Sequence, residues 1–212
     1  MHLTYLAIVL SALAAKPAPA PAGKEMAGRP RFETYLTTHD VPSAVELHEL
    51  AAAPENALMA IASDARVDGL LRSRAVAALR LVPSPEVHSF LGKLIETKAK
   101  ATDATDRLMV RRAAVALGWM SGLGWRGGTA AAETLALLFD NEDAEVRLDA
   151  AIGLGLTRAA TAVPSLRKQL ALEQSPRVRD QIERQLRTLN ESAAEPDKAP
   201  APKQETPMRS GW

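Results

Sequence analysis

The chain has 212 residues, with 26 basic and 25 acidic side chains and a formal net charge of +1, so no global field draws it onto nucleic acid or an anionic membrane. It contains no cysteine, which excludes disulfides, thiol nucleophiles and thiolate metal sites. Apolar residues make up 47% and aromatics only 4%, and the apolar weight rests on Ala, Leu and Val, a balance that favours close-packed helices over sheet.

In chain order, residues 1–15 read as a signal peptide. Leu3 to Ala15 is a mainly apolar, uncharged run of 13 residues, about the length of a signal core and short for a bilayer span, and Ala12-Leu13-Ala14 offers a cleavage site. Met1-His2 supplies no Lys or Arg, so a retained anchor stays open beside a cleaved signal. Residues 16–42 read as a Pro/Ala-rich linker and irregular lead-in, because the alternation in "KPAPAPAG" favours an extended spacer.

A repeat domain is expected over 43–190. Ser43-Ala44-Val45-Glu46 is a capping-box pattern that predicts a helix start, and Pro54 opens a further helix through Ala62. Four segments then stack: "LLRSRAVAALRLV", "LMVRRAAVALGWM", "EVRLDAAIGLGLT" and "RVRDQIERQLRTL". Each places a small or branched residue four positions before a leucine: Ala75/Leu79, Ala113/Leu117, Ala150/Leu154 and Ile182/Leu186. That spacing puts the pairs on one helical face. Arg72, Arg111, Arg147 and Arg179 recur near the start of each segment, and Asp143 lies one helical turn before Arg147, so these arginines read as a ladder of ion pairs between neighbours. Second helices follow as "SPEVHSFLGKLIETK", "TAAAETLALLFD" and "AVPSLRKQLALEQ", and Ser84-Pro85 and Ser175-Pro176 each put a capping hydroxyl before a proline at the first helical position.

The run "DNEDAEVRLDAAIGLGLT" followed by "AVPSLRKQL" resembles a short HEAT repeat of the phycobilin-lyase-like type, and "VRRAAVALG" resembles the same unit. The resemblance covers roughly residues 54–189. It implies an all-α fold, an α-solenoid of about four short HEAT-like helical-hairpin repeats, in which the second helix of each pair lines the inner, concave face. Stacking agrees physically, since one helical pair cannot bury its apolar face alone.

Gly122, Gly124 and Gly127 in "SGLGWRGG" satisfy G-x-G-x-x-G. A dinucleotide fingerprint needs a strand before the glycines, whereas a helix is expected here, so the stretch reads as an inserted turn with Gly118 ending one helix and Gly128 preceding the next. Trp119 is expected in the core, and Trp125 is a candidate contact on the inserted loop. The tail 191–212 is polar and proline-dotted, with no apolar periodicity, and reads as disordered.

His39, His48 and His88 are scattered, and one His48-Glu49 pair is too few ligands for a metal centre. No nucleophile elbow, Walker loop or metalloprotease motif is present. The expectation is therefore an exported, periplasmic or secreted, non-catalytic scaffold with no cofactor and no stable membrane span once the signal is removed. It would bind a protein or peptide through the second helices, with His88, Lys93, Glu133, Arg167 and Lys168 as candidate contacts beside Trp125. A chromophore-lyase-like enzyme of the same repeat family and a purely structural envelope spacer are the alternatives.

Overall fold

A computed structural model describes residues 29–38, 43–124 and 127–194. The expected signal segment, the Pro/Ala stretch up to residue 28, and the tail from residue 195 lie outside these described residues, as does Trp125. Among the described residues every regular element is helical. The helices are α1 (Arg29–Thr38), α2 (Ala44–Leu50), α3 (Pro54–Ser63), α4 (Gly69–Ala78), α5 (Pro85–Lys98), α6 (Ala104–Gly122), α7 (Gly128–Ala136), α8 (Ala144–Leu156), α9 (Ala162–Leu172) and α10 (Pro176–Ala194). Single 3₁₀ turns at Leu79–Leu81 and Leu137–Asp140 tighten the ends of α4 and α7.

The starts follow local chemistry. Ser43 accepts from the Glu46 amide while the Glu46 carboxylate accepts from the Ser43 amide, a complete capping box. Ser84 caps α5 by accepting from the Val87 amide at 3.1 Å, with Pro85 in the first turn. Asp68, Asp103 and Asp143 cap α4, α6 and α8 in the same way.

The helices lie in two layers. In one, α1, α4, α6, α8 and α10 pack each against the next in chain order, and in the other α3, α5, α7 and α9 do the same. The core lies between them. Ala75, Leu79, Ala113, Leu117, Ala150, Leu154 and Ile182 are all buried there, at the positions that the repeated spacing predicts. Between α6 and α8 the backbones touch. A Cβ on Gly118 would lie 2.2 Å from the Gly153 carbonyl oxygen, and one on Gly153 would lie 2.5 Å from that of Ala114. Small residues at this crossing let the two helices approach more closely than side chains would allow.

Several details differ from the sequence expectations. Residues 29–38, read as part of an irregular lead-in, form α1, which buries Phe32 and Leu36 against α3 and α4. Gly118 does not end a helix: α6 continues to Gly122, because Gly118 is needed at the contact with α8 rather than at a turn. Trp119 is not core but 45% exposed, lying on the face of α6 opposite to Leu117. The α10 helix runs to Ala194, past the boundary expected at 190.

Candidate functional site

The second-helix layer carries the residues singled out in the sequence. On α5, α7 and α9 the buried leucines Leu91, Leu135 and Leu166 fix the register, each facing the first-helix layer. Positions two residues away point about 200° round the helix, toward solvent. They are Ser89 and Lys93 on α5, Glu133 on α7 with Leu137 at the start of the 3₁₀ turn that follows it, and Pro164 and Lys168 on α9. Lys93, Glu133 and Lys168 are exposed at these positions, and Arg167, one residue after Leu166, is exposed too, so four of the six candidates are exposed on second helices. Leu137 is 44% exposed and Leu172 64%, which adds apolar contact area beside the charges. A shallow depression of about 430 Å³ lies along α5 between Glu86, Ser89, Phe90 and Lys93.

His88 sits differently. It is half-buried, turned toward the end of α6, with Nε2 3.5 Å from Ser121 Oγ. A Cβ at Gly127 would lie 3.3 Å from its Cε1. Burial pushes the imidazole pKa below its ordinary value. Ser121 donates its hydroxyl to the Leu117 carbonyl at 2.9 Å, so that proton is not directed at the ring. His88 therefore packs against Ser121 and Gly127 instead of projecting from α5.

The connection from α6 to α7 settles the glycine motif. Gly122 belongs to a helix, Gly124 and Gly127 have φ of +86° and +120°, and α7 begins at Gly128, so helices flank the glycines on both sides. The positive φ values explain the glycines without a ligand.

The recurrent arginines bind within the fold. Arg72 donates to the Ala62 carbonyl at the end of α3, and Arg179 donates to the Leu170 carbonyl in the last turn of α9. Arg111 on α6 bonds Asp149 at 2.7 Å and Glu145 at 3.2 Å on α8, and Arg177 of α10 pairs with the same Glu145. Glu145 thus ties three successive helices of one layer. Asp143 pairs not with Arg147, as its spacing suggests, but with Arg107 of α6 at 3.1 Å, while Arg147 reaches Glu173. A sequence offset of one turn shows which residues can meet and not which neighbour competes for them.

The sequence reading did not single out the acidic corner at the start of the fold. Asp64 accepts from Arg29 at 2.7 Å and from the side chain and amide of Arg66, and these bonds hold its carboxyl well below the usual range. These residues line an open depression of about 620 Å³ together with Glu33 and Asp68. The only local signal was Asp64-Ala65-Arg66, a side chain able to bond the amide two residues on. Among the described residues no group of three or more His, Asp or Glu side chains is arranged to hold a metal, and no helix is long and apolar enough to cross a membrane. Comparison with protein-family models, curated proteins and solved structures finds no match.

Proposed function

We propose that this chain is an exported, non-catalytic scaffold: a short α-solenoid of HEAT-like repeats whose second-helix layer binds a protein or peptide. The observation that carries the reading is the outward side of α5, α7 and α9, where Lys93, Glu133, Arg167 and Lys168 stand exposed along consecutive packed helices. Two further features support it. The arginine positions that recur in the repeat are engaged inside the fold, which leaves the second-helix charges for partners. The apolar run at Leu3–Ala15 supports export to the periplasm or beyond.

A photo-crosslinking residue at Arg167, in the full chain expressed in its native cell, tests this. The same protein with the crosslinker at the exposed Asp180 of α10 is the control. A discrete adduct at position 167, recovered from the periplasmic fraction and weakened by Lys93→Glu and Lys168→Glu, is the expected result. Equal labelling at both positions would remove the binding role, and recovery from the cytoplasm would remove export.

A further inference from the structure

Charge in this fold is sorted along the helix axes, although its sum is only +1. The helices α4, α6 and α8 run parallel. A Cβ on Gly69 at the start of α4 would meet Thr105 at the start of α6, and one on Gly122 at the end of α6 would meet the Leu156 carbonyl at the end of α8. Their N-termini therefore share one edge of the molecule and their C-termini the other. At the N-terminal edge Asp68, Asp103 and Asp143 cap the three helices, with Asp64 and Glu142 beside them.

The C-terminal edge is the reverse. The connections 79–84, 123–127 and 157–161 contain no Asp or Glu in their sequence, and Arg80 and Arg158 stand exposed in the first and third. Neither arginine has an ion-pair partner among the described residues. The negative ends of α4, α6 and α8 meet the positive ends of α5, α7 and α9 there and largely cancel, so the arginines set the sign of the edge.

On α6, between the helices that end in Arg80 and Arg158, two large apolar side chains are left open. Trp119, in the last turn of α6, is 45% exposed, and Leu123, just past it, is 58% exposed. Offsetting helix dipoles explains the arginines but not these two. Neither lines the depression along α5 or the one beside Asp64, and both stand on an edge.

We infer that this edge docks on an anionic lipid surface, with Trp119 and Leu123 entering the interfacial layer and Arg80 and Arg158 meeting headgroup phosphates. Tryptophan and leucine gain from that layer, and a guanidinium binds phosphate with two parallel hydrogen bonds. At about 8–10 Å between axes, three helix ends span about 20 Å, a breadth that a flat surface meets at once. These residues differ from those of the second-helix layer, so the inference stands whether or not that layer binds a protein.

The chain has no cysteine, so a nitroxide attached at Leu123→Cys reports on that position alone. The full purified chain is mixed with vesicles of phosphatidylcholine and phosphatidylglycerol in equal parts, and the depth of the label is read from its access to dissolved oxygen against a water-soluble nickel complex. The expected result is an immersed label at 123 and an aqueous one at Asp140→Cys, on the opposite edge. Each label reports its own depth, so insertion of the Leu3–Ala15 run does not mimic the result. The ratio of immersed to aqueous label should fall about fivefold with each of Arg80→Gln and Arg158→Asn. Asparagine tolerates the left-handed backbone of Arg158, whose φ is 53°. Trp119→Glu should also lower the ratio, and circular dichroism checks that each variant is folded. An aqueous label at 123, equal immersion in pure phosphatidylcholine, or indifference to both arginines would each overturn the inference. So would immobilisation of the label by poly-glutamate without immersion in vesicles, which would make the edge a site for an acidic polypeptide.

Discussion

Arg147 donates from Nε and Nη2 to the two carboxylate oxygens of Glu173, both at 2.8 Å. Glu173 lies just beyond α9 and is almost wholly buried, and it also accepts from Gln169 Nε2 and the Ser175 amide. Arg147 in turn bonds the Asn141 and Glu142 carbonyls, so the pair ties α8 to both of its flanking connections. The Arg147 bonds, followed by the Ser175 amide, hold the Glu173 pKa down to about 2 against the desolvation that opposes them. A depressed carboxyl stabilises the fold above its unfolded value near 4.5, and that contribution is lost as pH falls through about 2. Glu173→Gln should cost about 3 kcal/mol at neutral pH, because it leaves the guanidinium without its counter-charge. Thermal unfolding followed across pH 2–5 should show the wild type losing its advantage over the variant as the pH drops. A constant gap over that range would contradict the assignment.

Asp149 should behave in the opposite way. Burial is the largest influence on it and outweighs the hydrogen bond from Arg111, so its carboxyl titrates above the ordinary value. A raised carboxyl favours the fold below its unfolded value near 3.8, and that contribution disappears as pH rises through the folded one. Asp149→Asn keeps an oxygen for Arg111 and removes the desolvated charge, so its stability at neutral pH should lie within about 1 kcal/mol of wild type. Urea unfolding of the two variants side by side checks this. A loss as large as that of Glu173→Gln would show that the ion pair, not burial, dominates at Asp149.

Two glycines on adjacent first and second helices should respond with opposite signs to the same substitution. A Cβ at Gly118 would meet the Gly153 backbone at 2.2–2.8 Å, where no flexible side-chain end can yield. Gly118→Ala should therefore force α6 and α8 apart and cost about 2–3 kcal/mol. Gly92 in α5 meets nothing within 4 Å, so Gly92→Ala should stabilise by about 0.5–1 kcal/mol through helix propensity alone. Melting temperatures of the two variants give the answer directly.

The contrast between these glycines marks what the sequence could convey. Period and capping are local, so Ser43, Ser84 and the repeated leucines were legible from spacing alone. Close approach is not local: "VALGWMSG" gives Gly118 the look of a helix end until α8 is seen to lie against it. The same holds for Trp119, whose bulk suggests burial but whose offset from Leu117 turns it outward. The α1 helix was missed because only Phe32, Tyr35 and Leu36 supply its apolar face, too few to establish a period next to a Pro/Ala stretch. The candidate contacts come from the second helices that the resemblance puts on the inner face; Lys93, Glu133, Arg167 and Lys168 are exposed, whereas the contacts of His88 with Ser121 and Gly127 are long-range and no periodicity encodes them.

His88 offers the final test, because its position ties pH to the turn between α6 and α7. Burial against Ser121 and Gly127 lowers its pKa below 6.5, so the neutral ring is the form the fold accepts. A histidine depressed in this way stabilises the fold above its unfolded value of 6.5, and the contribution fades as pH falls through the lower folded value. His88→Gln has a similar reach and hydrogen-bonding capacity but cannot take up a proton. The wild type should therefore be the more stable protein at pH 8 and should lose ground to His88→Gln steadily below pH 6.5, a difference readable as converging melting temperatures. Amide exchange at residues 121–124 and 127–128 should accelerate over the same interval in the wild type only. If both proteins respond to acid identically, the ring is solvated in solution, and the packing of His88 against Ser121 and Gly127 is not what sets its protonation.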